Sequence, residues 1–136
     1  MPPNTSRVRI AVRYSETDAM GFVYYANYLV YFEVARTTAL AELGHPYWDM
    51  EKRGVLIPVL RAHCEYLHPA RYGDVLDVKT TRFRLGKARI RFEYEVTREK
   101  DGAALTRGFT EHAFMDPSGK PLRPPAELAA LFPEAP

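Results

Sequence analysis

The sequence has a single cysteine, Cys64, so no disulfide can form within the chain. It also lacks the pattern of a secretory leader, a charged N-terminal stretch followed by an apolar run. These two absences predict a cytoplasmic protein. No apolar run approaches the ~20 residues that a membrane-spanning helix needs, so no membrane span is expected.

The sequence has no run of basic residues either. Its 19 lysines and arginines are spread along the chain and the formal net charge is only +2. This distribution does not favour nucleic acid as a partner. The same charge distribution is compatible with an anionic small-molecule ligand, because phosphate recognition needs only a few cations and backbone N–H groups.

The four histidines do not have the spacing of metal ligands. His63 lies in a predicted strand and His68 directly at its end, but they lack the usual paired arrangement, so we expect no metal site. Cys64 has no neighbouring group that would stabilise a thiolate, and strand alternation directs its side chain toward the long helix described below. A catalytic cysteine is therefore not expected.

The composition of the 136 residues, with 46% hydrophobic and 26% charged, predicts one globular domain over residues 1–136. Apolar and polar residues alternate along Arg7–Tyr14, which predicts a first strand. The segment Tyr25–Leu43 contains no proline or glycine and is followed by Gly44, which predicts one long helix. Because its first half is apolar on nearly all sides, we expect a sheet to bury this helix.

After the long helix, the pattern predicts a short helix up to Arg53 and then four strands in a meander. The predicted strands are Val55–Leu67, Asp74–Phe83, Ala88–Thr97 and Ala103–Phe114, with turns at Gly86, Asp101-Gly102 and Pro117-Ser118-Gly119. A small surface helix, Ala126–Phe132, comes last. The order predicts an α+β domain in which an antiparallel sheet curls around one helix. The free sheet edges predict self-association.

The segment before the long helix contains a carboxylate, Asp18, and a glycine, Gly21. A helix N-terminus presents unpaired N–H groups and positive potential. Such donors can stabilise the anion that forms during acyl transfer, while a carboxylate attacks or activates water. On spacing alone, however, a helix cap formed by Asp18 or Asn27 is the better interpretation.

Two stretches of the sequence resemble one family of enzymes. Residues 17–28, TDAMGFVYYANY, resemble the signature of the 4-hydroxybenzoyl-CoA thioesterase and YbgC-like acyl-CoA thioesterases, which has an aspartate in D-x-x-G, V-x-Y, N-Y and an aromatic-rich helix. Residues 64–74, CEYLHPARYGD, resemble the second and third strands of that family and their P-A-x-x-G-D turn. The resemblance implies the hotdog fold, a five-stranded antiparallel sheet wrapped around one long central helix.

The resemblance also implies a function, the hydrolysis of a short-chain or aromatic acyl-CoA thioester to the free acid and coenzyme A. Asp18 would be the catalytic carboxylate, either as a nucleophile that forms a mixed anhydride or as a general base on water. The backbone N–H near Tyr25 would receive the thioester oxygen. The remaining substrate-binding residues would be Gly21, Val23, Tyr24 and Asn27.

The family likeness further implies that no cofactor is needed, since coenzyme A is part of the substrate. The substrate site would lie between two subunits of a dimer or of a dimer of dimers, a homotetramer. The hairpin after Gly86 borders the coenzyme A phosphates in related thioesterases, which nominates Lys87 and Arg89 as phosphate contacts. An ordinary solvated strand face explains these two cations equally well.

Two residues depart from the family pattern. Tyr25 stands where many YbgC-like members have histidine, which excludes an imidazole acid or base there. A tyrosine with a pKa of about 10 is a poor base near neutral pH but can donate a hydrogen bond. Met20 stands where many relatives have glycine and adds bulk beside the reacting centre.

Glu33 on the long helix is another acid near Asp18. It is predicted to pair with Arg36 three residues later and to have a structural, not a catalytic, role.

Two other functions fit the same predicted fold. A hotdog dehydratase needs a histidine and an acid to move protons, and no histidine precedes or opens the long helix, so this alternative is disfavoured. A non-catalytic acyl-CoA-binding or regulatory module does not require Asp18. This second alternative remains open.

Overall fold

The computed structural model describes residues 4–136. The first half contains β1 (Thr5–Ala11), a short 3₁₀ turn (Tyr14–Glu16), α1 (Asn27–Glu42) and α2 (Tyr47–Lys52). The strands β2 (Val59–Tyr66), β3 (Val75–Leu85), β4 (Arg89–Arg98) and β5 (Ala104–His112) follow. A small hairpin of β6 (Phe114–Met115) and β7 (Pro121–Leu122) precedes α3 (Ala126–Ala129).

The first five strands form one antiparallel sheet in the order β1-β3-β4-β5-β2. β1 and β2 are therefore its edges. In β4, alternate residues from Ile90 to Val96 are buried while Glu93 and Glu95 are exposed, which confirms the predicted alternation. The predicted α+β architecture of a five-stranded sheet with one long helix is the observed one.

Several predicted element ends were wrong. β1 ends at Ala11 and not at Tyr14, because the chain turns into the 3₁₀ segment. β2 begins at Val59 and not at Val55, because the preceding Leu56 pairs with Met115 instead. The last helix stops at Ala129, and its segment is not simply on the surface, since Leu128 is buried.

The sheet buries α1 as expected, but in the single chain it does so on one side only. One side packs on the sheet, where the Phe32 ring stacks on Tyr94 at 4.1 Å between ring centroids. The opposite side carries Leu29, Val30 and Val34, which are 42%, 47% and 38% exposed. The sheet of one chain can cover only one side of a helix, so an apolar stripe stays uncovered.

The predicted ion pair between Glu33 and Arg36 is not formed within residues 4–136. Arg36 turns into the core, where it is 7% exposed and its Nη1 lies 3.5 Å from the Tyr94 hydroxyl. Glu33 stays on the exposed side of α1. The i, i+3 spacing permits such a pair, but burial of the guanidinium against aromatic residues directs it elsewhere.

Gly108 in β5 lies where both β2 and the Phe32 ring of α1 approach the chain closely. A Cβ at this position would stand 2.1 Å from the His63 carbonyl oxygen and 2.9 Å from the Phe32 ring. The first of these atoms belongs to the backbone of β2 and cannot rotate away. Glycine is therefore required for β5 to pack against both β2 and the helix.

Glu16 anchors the segment between β1 and α1. Its carboxylate, 7% exposed, accepts hydrogen bonds from the Arg13 N–H at 2.8 Å and the Tyr31 hydroxyl at 2.9 Å, and it pairs with the Arg13 guanidinium. Burial by itself raises the pKa of Glu16, but these hydrogen bonds outweigh burial and hold the pKa below its ordinary value. The ionised form thus ties the segment to the helix.

None of the helices within residues 4–136 combines the length and the apolar character needed to cross a membrane. Across the same range, no group of three or more histidine, cysteine, aspartate or glutamate side chains is arranged to hold a metal ion.

We predict that Gly108→Ala destabilises the protein by about 3 kcal/mol, because the new methyl group overpacks a backbone contact. The midpoint of thermal unfolding, followed by circular dichroism, should fall by roughly 10 °C. Ala104→Ser, at an exposed position of the same strand, should leave the midpoint unchanged. An unchanged midpoint in Gly108→Ala would show that the contact is not tight.

We predict that Glu16→Gln lowers stability at neutral pH by an amount that shrinks in acid. A carboxyl whose pKa is lowered by folding contributes stability above its unfolded pKa, near 4.5, and loses it as the pH falls through the folded value. Urea denaturation of wild type and variant at pH 7 and pH 3.5 measures the difference. Glu42→Gln, an exposed control, should show none. A pH-independent difference would contradict the proposed role of the charge.

Candidate active site

The D-x-x-G pattern forms a tight turn that leads toward α1. Thr17 pairs with Val23, the Asp18 N–H donates to the Phe22 carbonyl at 2.9 Å, and the Gly21 N–H donates to the Asp18 carbonyl at 2.9 Å. Gly21 has φ = +81°, a left-handed conformation that glycine adopts without strain. The glycine of the pattern is therefore required to close the turn that presents Asp18.

The Asp18 carboxylate does not cap α1. Its Oδ1 accepts the Met20 N–H at 2.9 Å, within the turn itself. Ala26 precedes α1 without a side-chain cap, and the Asn27 side-chain amide donates to the Glu16 carbonyl at 2.8 Å. The interpretation of Asp18 or Asn27 as a helix cap was wrong. Within residues 4–136, no partner is found for Asp18 Oδ2.

The two stretches that carry the family likeness pack against each other. The Val23 N–H donates to the carbonyl of the buried Ala70 at 2.9 Å. The Arg71 guanidinium lies 4.6 Å from the centre of the Phe22 ring. Asp74 closes the second turn by accepting the Arg71 N–H at 2.9 Å. The turn after β2 thus fixes the position of the turn that contains Asp18.

A cavity of about 530 Å³ opens between these segments. One wall comes from residues 18–28 and includes Asp18, Tyr24 and Tyr25. The other wall comes from the end of β2 and the residues after it, 66–69. Its surface is mostly apolar and aromatic, the character of a small-molecule site.

The backbone N–H of Tyr25 has no acceptor within residues 4–136. The N–H groups that follow are used, since Asn27 donates to the Tyr24 carbonyl at 2.9 Å and Tyr28 to the Tyr25 carbonyl at 3.3 Å. The Tyr24 N–H donates to the Glu16 carbonyl at 2.8 Å. The unpaired donor therefore lies at the cavity wall, just before the N-terminus of α1, where the potential is positive.

The side chains of Tyr24 and Tyr25 lie side by side, with ring centroids 4.8 Å apart. A hydrogen bond to the Tyr25 side chain, and to a smaller extent the nearby Asp18 carboxylate, raises the pKa of Tyr24. Tyr25 is 60% exposed in the single chain. One side of the cavity is therefore open to a neighbouring molecule.

The structure brings some of the predicted site residues together. Asp18, Val23, Tyr24 and Tyr25 line the same cavity, and so does Met20. Gly21 shapes the turn and is not part of the lining. The amide group of Asn27 is bound to the Glu16 carbonyl and positions the turn.

Lys87 and Arg89 lie at the opposite end of the sheet. Tyr66, at the cavity, is at the level of Thr106 and Val96 in the strand pairing. Seven residues of β4 separate Arg89 from Val96, which corresponds to about 23 Å. Within one chain, these two cations therefore do not contribute to the cavity around Asp18.

The second wall of the cavity was not predicted from the sequence. Tyr66, Leu67 and His68 line it, together with Tyr28 of α1. No local motif marks these residues as neighbours of Asp18, because a non-local contact, Val23 with Ala70, brings the two segments together. These residues lie in the two stretches that resemble the family, residues 17–28 and residues 64–74, but the resemblance assigned them no role in the site.

Comparison with known proteins identifies the family. Residues 12–132 match the model of the thioesterase-like superfamily. A putative esterase of Aquifex aeolicus is 37% identical over 124 residues, which are 91% of this chain and 94% of that protein. The putative acyl-CoA thioesterase YneP of Bacillus subtilis is 51% identical over 77 residues. That match covers 57% of this chain and 56% of YneP.

A solved structure extends the likeness to three dimensions. The DHNA-CoA thioesterase of Staphylococcus aureus superposes with a TM-score of 0.83 at 38% identity, over 88% of this chain and 80% of that one. The family match covers β2 to β5, α1 and both turns that enclose the cavity. The chain therefore belongs to the thioesterase-like superfamily and has its hotdog fold.

Proposed function

We propose that this chain hydrolyses an acyl-CoA thioester to the free acid and coenzyme A, with Asp18 as the catalytic carboxylate and the Tyr25 N–H as the oxyanion donor. One observation carries the proposal: a carboxylate with an unpartnered oxygen and an unpaired N–H border the same cavity. A thioester carbonyl between them meets a donor for its developing negative charge and an oxygen base or nucleophile.

The chemistry has two routes that both end in the same products. In one, Asp18 Oδ2 attacks the thioester carbon, the thiolate leaves, and water hydrolyses the mixed anhydride. In the other, Asp18 takes a proton from a water that attacks the same carbon, and the C–S bond then breaks so that the thiolate leaves. Both routes pass through an oxyanion that the Tyr25 N–H stabilises. Neither needs a cofactor or metal, since coenzyme A is part of the substrate.

The cavity favours an aromatic acyl group over a straight short chain. Tyr24, Tyr25, Tyr28 and Tyr66 all border it, and aromatic rings pack well edge to face against such walls. The Staphylococcus aureus structural relative is named for an aromatic thioester, DHNA-CoA, and YneP for acyl-CoA thioesters in general. We therefore place an aryl-CoA first among the candidate substrates.

The protein acts as a dimer in this proposal, joined along β2. This strand is a sheet edge and its residues are mostly exposed, so its free backbone groups can pair with a second copy. The uncovered stripe of Leu29, Val30 and Val34 lies on the adjacent helix. A second copy that pairs here buries the stripe and closes the open side of the cavity.

A dimer also gives Lys87 and Arg89 a role. If two β2 strands pair antiparallel, the Val59 end of one lies beside the Tyr66 end of the other. The end of the partner's sheet that carries Lys87 and Arg89 then lies on the same side as the cavity of the first chain. We assign these cations to the coenzyme A phosphates of the neighbouring site. The cytoplasm remains the proposed location, where a free Cys64 is ordinary.

We predict that Asp18→Asn lowers kcat at least about a hundredfold, because the amide neither attacks nor takes up a proton. The assay follows free thiol release from aromatic, acetyl, medium-chain and long-chain acyl-CoAs. Asp49→Asn, on α2 and outside the cavity, is the matched control and should keep the wild-type rate. Wild-type rates in Asp18→Asn would remove Asp18 from the mechanism.

The same assay separates an enzyme from a binding module. A non-catalytic module would bind an acyl-CoA, measured by calorimetry, and leave every thioester intact at high protein concentration. Turnover of any of these thioesters by the wild type that Asp18→Asn abolishes supports the enzyme.

We predict that Val30→Glu separates the dimer, because it places a charge in the buried stripe. Sedimentation equilibrium should give about twice the chain mass of 15.6 kDa for the wild type and the single mass for the variant. The side chain is exposed in one chain, so the fold should survive, as the far-UV spectrum checks. Ala104→Glu, exposed on β5, should stay dimeric. A monomeric wild type would contradict the proposal.

A further inference from the structure

The hydroxyl of Tyr66 reaches from the end of β2 to the main chain of Tyr25. It donates a hydrogen bond of 3.1 Å to the Tyr25 carbonyl oxygen. The Tyr66 ring also stands edge-on to the rings of Tyr25, at 6.2 Å, and Tyr28, at 5.5 Å. Tyr66 thus touches the residue whose N–H is the proposed oxyanion donor.

The hydrogen bond from Tyr66 supports the segment before α1 at the Tyr25 carbonyl. The Tyr24 N–H and carbonyl are held by Glu16 and Asn27 at 2.8 and 2.9 Å. The Tyr25 carbonyl, one residue later, receives a longer bond from the Tyr28 N–H at 3.3 Å. The bond from Tyr66 is the shorter of the two at this carbonyl, and it ties Tyr25 to the sheet.

The Tyr66 hydroxyl acts as a hydrogen-bond donor. Burial raises its pKa, and a hydrogen bond with the Cys64 side chain raises it further. The geometry agrees, since the hydroxyl donates its proton to the Tyr25 carbonyl. The phenol therefore stays protonated through the neutral pH range and is not a base.

We propose that Tyr66 is a positioning residue for the thioesterase reaction. Its hydroxyl holds the peptide group that follows Tyr25, while the Asn27 N–H holds the Tyr24 carbonyl, which shares a peptide group with the Tyr25 N–H. Because Tyr25 is held on both sides, its N–H stays directed at the oxyanion and does not have to be ordered during the reaction. The inference rests on the proposed function. It adds that the edge strand β2 sets the geometry of the oxyanion site, through a residue 41 positions away in the sequence.

Tyr66→Phe tests this inference because it removes the hydroxyl and keeps the ring. Without the bond, kcat should fall about tenfold, the effect of one hydrogen bond on a transition state. KM should change less than about twofold, because the ring still lines the cavity. Tyr72→Phe is the matched control, a tyrosine that is 65% exposed and outside the cavity, and it should keep the wild-type kcat.

Two further measurements separate positioning from a merely structural role. The first is the affinity for a thioether analogue of the acyl-CoA, which has no carbonyl oxygen to bind and should bind wild type and Tyr66→Phe equally. The second is the thermal midpoint, which should stay within about 3 °C of the wild type. A purely structural role would weaken analogue binding or lower the midpoint together with kcat.

The outcomes distinguish the inference from the proposed function. If the wild type releases thiol and Tyr66→Phe does so at the same kcat, the positioning role is wrong and the thioesterase proposal stands. If kcat, analogue affinity and midpoint all fall together, Tyr66 is a structural residue and the inference is again wrong. If the wild type releases no thiol from any substrate, both proposals are overturned.

Discussion

The buried carboxylate of Glu16 is the group on which the arrangement before α1 depends. The side chain holds Arg13 and the Tyr31 hydroxyl, while the main-chain carbonyl of the same residue holds the Tyr24 N–H and the Asn27 amide. One residue thus connects the end of β1, the turn and the first two turns of the helix. A charge with this many partners is stable when buried, and losing one partner would leave it poorly solvated.

The hydrogen bonds of Glu16 explain how the turn that contains Asp18 can hold this carboxylate in a fixed position. Asp18 lies on an exposed turn that alone would have considerable conformational freedom. The turn is fixed at one end by Glu16 and, through Val23, by Ala70 of the turn after β2. Because both ends of the turn are fixed, the Asp18 carboxylate has one position relative to the cavity. The proposed mechanism requires such a fixed position, both for the attacking oxygen and for the oxyanion donor. The rigid sheet and the fixed turn act together.

The uncovered side of α1 and the open side of the cavity have one cause. A five-stranded sheet covers one face of the helix and leaves the other face, with Val30 and Val34, next to the edge strand β2. Tyr66 is at the end of that same strand and contacts Tyr25. Any partner that pairs with β2 would therefore bury apolar surface and hold the strand that contacts the proposed oxyanion donor.

The sequence by itself determined the order of elements, the period of each strand and the long helix, because these follow from local alternation and from the positions of glycine and proline. It also pointed to Asp18, Gly21 and Tyr25 through the family pattern. Only the structure decided that Asp18 does not cap the helix, that Arg36 is buried away from Glu33, and that the Tyr66 hydroxyl contacts the Tyr25 carbonyl. The last two results depend on contacts between residues distant in sequence, Arg36 with Tyr94 and Tyr66 with Tyr25, which local patterns do not encode. The first depends on the shape of the turn, in which the Met20 N–H donates to the Asp18 carboxylate.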